Sequence, residues 1–141
     1  MDNHDTKTRS YNMAQIKSKR TKPEEIVAKY LFSKGFRYRR NVKKLPGSPD
    51  IVLKKYKTTI FVNGCFWHKH RNCPDFVLPK SNIEYWTNKL DRNVQRDILN
   101  YKQLEMLGWN VIIIWECQLK NNKKEITLND LYFKLRSICE R

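Results

Sequence analysis

The chain has 141 residues, with 29 Lys and Arg against 14 Asp and Glu, so its formal net charge is +15. This length accommodates one domain with its own core but not two. The charge indicates a polyanionic partner, nucleic acid first, because each neutralised phosphate releases condensed counterions. No apolar run reaches the roughly 18 to 20 residues that span a membrane, and the first residues lack the apolar core of a secretory signal. We therefore expect a cytoplasmic protein without a membrane partner.

Residues 1–20 are polar and basic, with scattered apolar positions that follow no convincing period. We interpret them as a basic arm or short helix that adds phosphate contacts along DNA, and a partly disordered leader explains the same composition equally well. The clearly periodic segments all follow this arm. Residues 21–141 are therefore predicted to form the single domain.

A helix start is predicted at Thr21, which can cap the helix, with Pro23 in the first turn and Glu24 at the capping-box position. Apolar residues follow at three- and four-residue spacing, and Gly35 is typical of a C-terminal stop. Beyond it, residues 36–40 alternate aromatic and basic side chains, which favours a strand. The domain thus opens with an amphipathic helix and a strand.

Two strands are predicted near the middle of the chain. Residues 45–49 (Leu-Pro-Gly-Ser-Pro) form a turn that delivers Asp50 to the head of the apolar run 51–53, and residues 58–62 form the next strand. We expect these strands to be a hairpin at the centre of the sheet. That arrangement brings Asp50 beside Val62.

The second half of the chain predicts two helices and a strand. Residues 81–84 have a second capping-box pattern, and apolar positions spaced by three and four mark one long helix ending at Gly108. The run 111–114 (Val-Ile-Ile-Ile) predicts a strand buried on both faces, and residues 128–138 predict a closing amphipathic helix. This order predicts an α/β fold in which helices flank a mixed β-sheet.

Cysteine and histidine residues cluster after the second central strand. Cys65-x4-His70-x2-Cys73, joined later by Cys117, offers four soft ligands of the kind that tetrahedral Zn²⁺ takes, and a set without an open position is structural. Buried free thiols are the alternative, since this spacing is not that of a standard zinc finger. Cys139 has no partner in this set, and we expect it on the core face of the last helix.

Four further side chains are candidates for acid–base or cation chemistry. His68 carries an imidazole, a side chain suited to proton transfer, and is free if the neighbouring histidine takes the metal, although the two could exchange roles or His68 could be an exposed polar residue. Asp50 could hold a hard cation such as Mg²⁺ against a phosphate, or simply belong to a turn. Glu24 has an equal interpretation as a capping carboxylate, and Asp97 as the ion-pair partner of a basic neighbour such as Arg96.

Two adjacent aromatic residues, Phe66 and Trp67, stand in the presumed loop, and Trp86 stands near a helix start. Core packing is the ordinary use of such side chains. In a strongly basic protein, aromatic side chains can instead wedge between base pairs, at a cost of a few kcal/mol for each unstacked step. Both interpretations follow from the sequence.

Together these residues resemble the very short patch repair (Vsr) DNA mismatch endonucleases, which belong to the broad PD-(D/E)xK nuclease superfamily. The resemblance implies a restriction-endonuclease-like mixed β-sheet flanked by helices. It covers most of the chain, in blocks that occur in the right order. They are Thr8-Arg9-Ser10 with Asn12-Met13, Leu45-Pro46-Gly47-Ser48-Pro49-Asp50, Gly64-Cys65-Phe66-Trp67-His68, Asn93-Val94 with Arg96-Asp97, Leu107-Gly108-Trp109 and Trp115-Glu116-Cys117.

The resemblance also implies roles for individual residues. Asp50 and the backbone carbonyl of Val62 would bind Mg²⁺. Glu24 and His68 would contact the attacking water and the reacting phosphate, and Asp97 would orient the His68 ring through a hydrogen bond. The implied ligands of a structural Zn²⁺ are Cys65, His70, Cys73 and Cys117, and the implied intercalating residues are Phe66, Trp67 and Trp86.

The implied function is Mg²⁺-dependent nicking of one strand of duplex DNA, 5′ of the T in a T:G mismatch that arises from 5-methylcytosine deamination. Such a nick initiates very short patch repair, requires only a monomer, and would take place at the nucleoid alongside other mismatch-repair proteins. Two alternatives remain open. One is a restriction-type or other nuclease of the same superfamily without mismatch specificity, and the other is a zinc-stabilised DNA-binding protein without catalysis.

The chain departs from the family pattern at two places. Val62-Asn63 stands where the family has Thr-His, so a carbonyl ligand is kept while the hydroxyl and the second ring are lost. Proton transfer would then rest more heavily on His68. One extra residue stands between His70 and Cys73, which a loop can absorb.

Overall fold

The computed structural model describes residues 21–139, with the side chain of Cys139 excepted. The predicted basic arm and the predicted place of the Cys139 side chain therefore lie outside the described residues. None of the helices within this range is long and apolar enough to cross a membrane. The helices and strands, in chain order, are α1 (Lys22–Ser33), β1 (Arg39–Arg40), β2 (Ile51–Leu53), β3 (Thr58–Asn63), α2 (Ile83–Met106), β4 (Asn110–Trp115) and α3 (Lys123–Cys139).

Helix α1 begins as its sequence predicts. The Glu24 N–H donates to the Thr21 hydroxyl at 3.3 Å, and the Thr21 N–H donates to the Glu24 carboxylate at 3.4 Å. This capping box pairs two N–H groups that a helix start otherwise leaves without partners. Just past the other end stands Gly35, whose φ of 90° lies in the left-handed region that glycine adopts without strain.

The four strands form one mixed sheet in the order β1-β2-β3-β4. β2 and β3 are the predicted central hairpin, with Ile51 opposite Ile60. β4 lies parallel to β3, so Asn63 and Trp115 are paired where both strands end. The α/β class and the mixed sheet are therefore confirmed.

Helices cover both faces of the sheet. Side chains of α1 and α3 pack against one face, and α2 lies on the other, where Tyr101 contacts Phe61 with ring centroids 4.9 Å apart. Because side chains alternate along a strand, Phe61 faces α2 while its neighbour Ile60 faces the main core. The buried residues of that core are Val27, Ala28, Leu31, Phe36, Ile51, Leu53, Ile60, Ile114, Leu119, Leu128, Leu131 and Leu135.

The strand predicted over residues 36–40 is reduced to the two residues of β1. Phe36 is buried in the main core directly after α1, so the chain reaches the sheet only at Arg39. The strand predicted at 111–114 is present, but only its last residue is buried and the other three are half-buried. The expectation of burial on both faces was wrong because β4 is an edge strand, which pairs with β3 alone among the described residues.

The second predicted capping box is also wrong. The helix begins one residue later than that pattern requires, so Asn82 is its N-cap, with a left-handed φ of 55° and no side-chain cap bond. The long helix itself is confirmed, and it ends just before Gly108. Of its apolar positions, Leu90 and Leu104 are buried while Ile83 and Ile98 are exposed, and Ile98 lines an open cavity.

Candidate active site and metal centre

Several chain segments meet at one end of the sheet. β3 and β4 are parallel and end there together, β3 leading into the loop that starts at Gly64 and β4 into the short 3-10 helix Glu116–Leu119. β2 is antiparallel to β3, so Asp50, which directly precedes β2, lies at the same end of the sheet. The sheet topology thus gathers residues that are far apart in the sequence.

The predicted cysteine and histidine ligands converge beyond β3 and β4. The ligand atoms of Cys65, His70, Cys73 and Cys117 all lie within 4.8 Å of one another, so the cluster could hold a metal ion. Cys65 is almost fully buried, with 1% of its surface exposed. Burial also raises the pKa of its thiol to about 12, so the thiolate form needs a nearby cation.

Tight local bonds shape the loop that carries three of these ligands. The His70 N–H donates to the Cys65 carbonyl at 2.9 Å, and the His68 N–H donates to the Gly64 carbonyl at 3.2 Å. The His70 ring lies flat on Trp115, the last residue of β4, with centroids 4.0 Å apart and an angle of 7°. His70 therefore turns towards the cluster, and the other histidine is directed elsewhere.

Asp50 lies beside Val62, as the hairpin predicts. Its Oδ2 accepts a hydrogen bond from the Val62 N–H at 2.7 Å. Burial raises the pKa of the Asp50 carboxyl to about 7, and the Glu24 charge adds to the rise, while the bond from Val62 opposes it. Among the described residues no cationic side chain pairs with this carboxylate. It is therefore an oxygen donor in need of a cation.

Glu24 caps α1 and also lies close to Asp50. It completes the cap of α1, yet it is only 3% exposed and its Oε1 accepts from Asn41 Nδ2 at 2.9 Å. Arg40 also contacts Oε1, at 3.4 Å, and makes a shorter bond of 2.8 Å to Glu25. The carboxylate is thus held in one orientation, close enough to Asp50 for their charges to interact.

The predicted hydrogen bond between His68 and Asp97 is present, with 2.6 Å between Nδ1 and Oδ2. An ionised carboxylate can only accept, so Nδ1 carries the proton and Nε2 is left as the free nitrogen. The alternative ion pair with Arg96 is not formed, since Arg96 donates to Asn93 at 3.0 Å instead. His68 and Asp97 therefore form an oriented imidazole–carboxylate pair.

The three aromatic residues singled out in the sequence form one cluster on the α2 side. Phe66 lies 5.1 Å from Trp67 and 5.5 Å from Trp86 between ring centroids, and the two Trp rings are 6.0 Å apart. All three are half-buried, so they are not core residues. The Asn93 amide donates to the Trp67 carbonyl at 3.1 Å and so anchors the loop to α2. The cluster presents aromatic surface next to the candidate site.

Some residues of the site were not found from the sequence. Arg40 and Asn41 orient Glu24, and Asn63 donates to the Tyr101 hydroxyl at 2.9 Å. The sequence holds one usable signal, because Asn63 is a polar residue at the end of an apolar strand. The other partners are set by contacts between distant segments. A cavity of about 540 Å³ is lined by Asn63, His68, Asp97 and Tyr101, among others.

The chain is similar in sequence to a family of known proteins. The family model described as DNA mismatch endonuclease Vsr matches residues 1–73. The type II nicking enzyme V.NmeAIP of Neisseria meningitidis serogroup A is 53% identical over 82% of this chain and 82% of its own length.

Two further relatives extend over more of the chain. The DNA mismatch endonuclease Vsr of Escherichia coli is 42% identical over 87% of this chain and 78% of its own length. The type II nicking enzyme V.XorIIP of Xanthomonas oryzae pv. oryzae is 41% identical over 94% and 92%, respectively. The family match and these relatives show that the chain belongs to the DNA mismatch endonuclease Vsr family and is a DNA endonuclease.

Proposed function

We propose that this endonuclease nicks one strand of duplex DNA 5′ of the T in a T:G mismatch, the product of 5-methylcytosine deamination, and so initiates very short patch repair. The observation that carries the proposal is the position of Asp50, Glu24 and the His68–Asp97 pair at one end of the sheet. Three half-buried aromatic rings lie beside them. Relatives named as a mismatch endonuclease and as nicking enzymes support single-strand cleavage. One nick needs one active site, so we propose a monomer, with other mismatch-repair proteins as further partners.

Mg²⁺ is the proposed cofactor, held by Asp50 and the backbone carbonyl of Val62. Hard oxygen donors suit this ion, and the buried Asp50 carboxylate has no cationic partner among the described residues. Such a carboxylate is stabilised in its ionised form by a divalent cation. When bound, Mg²⁺ supplies charge stabilisation to the reacting phosphate and the leaving oxygen.

The remaining steps belong to side chains of this chain. Asp97 holds Nδ1 of His68, so Nε2 can take a proton from the attacking water or return one to the leaving group. Asp97 also stabilises the imidazolium that forms, as a carboxylate does in other oriented imidazole pairs. We assign Glu24 to positioning the attacking water, because Asn41 and Arg40 hold its carboxylate in place.

The cluster of Cys65, His70, Cys73 and Cys117 is proposed to hold a structural Zn²⁺. Tetrahedral Zn²⁺ with bonds of about 2.3 Å to sulfur and 2.0–2.1 Å to nitrogen separates its S and N ligands by about 3.6 Å. Cys117 Sγ and His70 Nδ1 are 3.5 Å apart, which fits. The ion would join the end of β4 to the loop that carries His68. We also propose that the domain has the restriction-endonuclease-like fold of the PD-(D/E)xK superfamily, which its mixed sheet flanked by helices supports.

Mismatch selectivity is assigned to Phe66, Trp67 and Trp86. Inserting aromatic side chains costs a few kcal/mol for each unstacked base step, and a mismatched pair lowers that cost. Residues 1–20 are proposed as a basic arm, outside the domain of residues 21–141, that adds phosphate contacts. The arm would strengthen binding without reading sequence.

A nicking assay tests the proposal. The substrates are a labelled duplex with one T:G pair and its T:A control, each with Mg²⁺ or EDTA. The proteins are the wild type, Asp50→Ala and, as a matched control, Asp130→Ala, which removes an exposed aspartate of α3. We expect one Mg²⁺-dependent nick 5′ of the mismatched T, lost in Asp50→Ala and kept in Asp130→Ala.

The other outcomes favour the alternatives. Equal cleavage of both duplexes, or cleavage of both strands, would indicate a nuclease without mismatch specificity. Salt-dependent binding without scission in either metal condition would indicate a DNA-binding role alone. Each result is read from the same gel and a parallel binding titration.

A further inference from the structure

A pair formed by a buried asparagine at the end of β3 and a half-buried tyrosine of α2 is not used by the proposed mechanism. Asn63 is 3% exposed, and its Nδ2 donates to the Tyr101 hydroxyl at 2.9 Å. The Tyr101 ring packs edge-on against Phe61, two residues earlier on the same face of β3. The phenol is therefore fixed at both its ring and its oxygen, along the last residues of the strand.

This hydroxyl lies on the active-site side of α2. Asn63 and Tyr101 line the same cavity of about 540 Å³ as His68 and Asp97. Burial raises the pKa of Tyr101 to about 12, and the charges of Asp97 and Asp50 add to the rise while the bond from Asn63 opposes it. The phenol is thus within the field of both carboxylates, and it keeps its proton throughout the neutral range.

The proton of Tyr101 has no partner in the described protein. A phenol oxygen can accept one hydrogen bond and donate another. It accepts from Asn63, and within residues 21–139 it donates to no protein acceptor. The basic residues Lys69 and Arg71 also line the cavity. Of these two, Lys69 donates a hydrogen bond to Asp91. An anionic oxygen entering the cavity would meet a donor that is already oriented.

We propose that Tyr101 is a substrate-contacting residue, whose hydroxyl donates a hydrogen bond to a non-bridging oxygen of a phosphodiester held in this cavity. Asn63 is then a positioning residue that acts through Tyr101. This inference rests on the proposed function and deepens it, because it assigns a DNA contact to α2. The contacting residue, Tyr101, is the partner of Asn63, at which the chain departs from the family pattern. The donor comes from a neutral side chain, so it contributes at every pH at which the enzyme works.

The variant that tests the contact is Tyr101→Phe, which keeps the ring and its packing on Phe61. We expect the single-turnover nicking rate to fall about ten- to a hundredfold, the range for losing one hydrogen bond to a charged group. The melting temperature should stay within a few degrees of that of the wild type. Tyr38→Phe is the matched control, since it removes a phenol hydroxyl that donates to the Ala28 carbonyl at 2.9 Å, outside the cavity. This control should nick at the wild-type rate.

A double-mutant cycle tests the role of Asn63. Asn63→Ala should slow nicking in the wild-type background and add little in the Tyr101→Phe background, because the two residues act as one unit. Independent, multiplicative losses would overturn the positioning role. A Tyr101→Phe rate equal to that of the wild type, or an equal loss in Tyr38→Phe, would overturn the phosphate contact.

Binding in EDTA separates this inference from the proposed function. The probes are the same duplex with a normal phosphate and with a neutral methylphosphonate at the nicking position. We expect the methylphosphonate to weaken binding of the wild type more than binding of Tyr101→Phe. Equal weakening of both proteins would overturn the contact even if the wild type nicks. Absence of nicking by the wild type, with this difference in binding intact, would overturn the proposed reaction and leave the contact standing.

Discussion

Two candidate metal sites lie where β3 and β4 end, and they are built in opposite ways. The cluster of Cys65, His70, Cys73 and Cys117 draws three of its four soft donors from one loop, and all four point at one place. Asp50 instead lies at the head of β2 beside the Val62 backbone and Glu24, and within residues 21–139 it belongs to no closed set of side-chain ligands. A closed set of ligands stabilises structure, whereas an open set leaves positions for water and substrate.

The two sites are also held in place by different interactions. The Cys/His cluster depends on local bonds in one loop and on one ligand delivered by the end of β4. The acidic site depends on the pairing of β2 with β3 and on partners from α1 and α2. Removing a ligand should therefore unfold the first site and merely inactivate the second.

The largest effect is expected from Cys117→Ala. Structural Zn²⁺ contributes on the order of 10 kcal/mol in small zinc-finger peptides, so losing its fourth ligand should lower the melting temperature by more than about 10 °C. Metal content, measured by mass spectrometry, should fall from one Zn²⁺ per chain. Cys139→Ala, which changes the cysteine outside the cluster, should keep the metal. Unchanged zinc content in Cys117→Ala would break the comparison.

The next effect is expected from Asp97→Asn. The amide cannot stabilise a protonated imidazole or enforce the same tautomer of His68, so nicking should slow by about 10²- to 10⁴-fold. Zinc content and melting temperature should be those of the wild type, because only the open site is altered. Asp130→Asn serves as the control for loss of an aspartate charge. A comparable loss of stability in Asp97→Asn would show that the open site is structural as well.

A pH-dependent effect is expected from Asp50→Asn without metal. The folded pKa of Asp50 is about 7 and the ordinary value is 3.8, so the folded protein holds this proton more tightly than the unfolded chain does. Stability is therefore lost as the pH rises through this window, by at most about 4 kcal/mol at pH 8. In EDTA, Asp50→Asn should be more stable than the wild type at pH 8, and the difference should shrink towards pH 4. A difference that does not vary with pH would contradict the assignment.

The smallest effect is expected from Thr21→Ala. Loss of this N-cap should destabilise the protein by about 1 kcal/mol, measured by urea unfolding. The nicking rate should not change, because Asn41 and Arg40 still hold the Glu24 carboxylate. Ser33→Ala, at the other end of α1, is the control for loss of a hydroxyl. A rate that falls with Thr21→Ala would mean that the cap, rather than the sheet, positions Glu24.

The elements that were predicted correctly carry local signals. The capping box of α1 and the hairpin that brings Asp50 to Val62 follow from residue types at short spacing. The same holds for three residues of the Cys/His cluster, whereas Cys117 reaches it from the end of β4. The failures have the opposite origin. The start of α2 differs by one residue from its apparent capping box, and the exposure of β4 depends on its place at the sheet edge. Neither could be predicted from a window of neighbouring residues.

Contacts within the site show the same limit. Asn41 orients Glu24 across 17 residues, and Asn63 meets Tyr101 across 38 residues of sequence. Both pairs join polar side chains that have many other possible partners. Their pairing is decided by how two elements pack, and the packing of elements depends on the whole domain. Tyr101 therefore carried no signal of its own in the sequence.

The sequence by itself determined the family, the α/β order of elements and the side chains with chemistry to offer, because each depends on residue type and short spacing. Only the tertiary structure decided which of these side chains meet. β3 pairs parallel with β4 and antiparallel with β2. These pairings bring Asp50, the loop after Asn63 and Cys117 to the same end of the sheet. The physical reason is that strand direction sets which ends of the chain segments coincide.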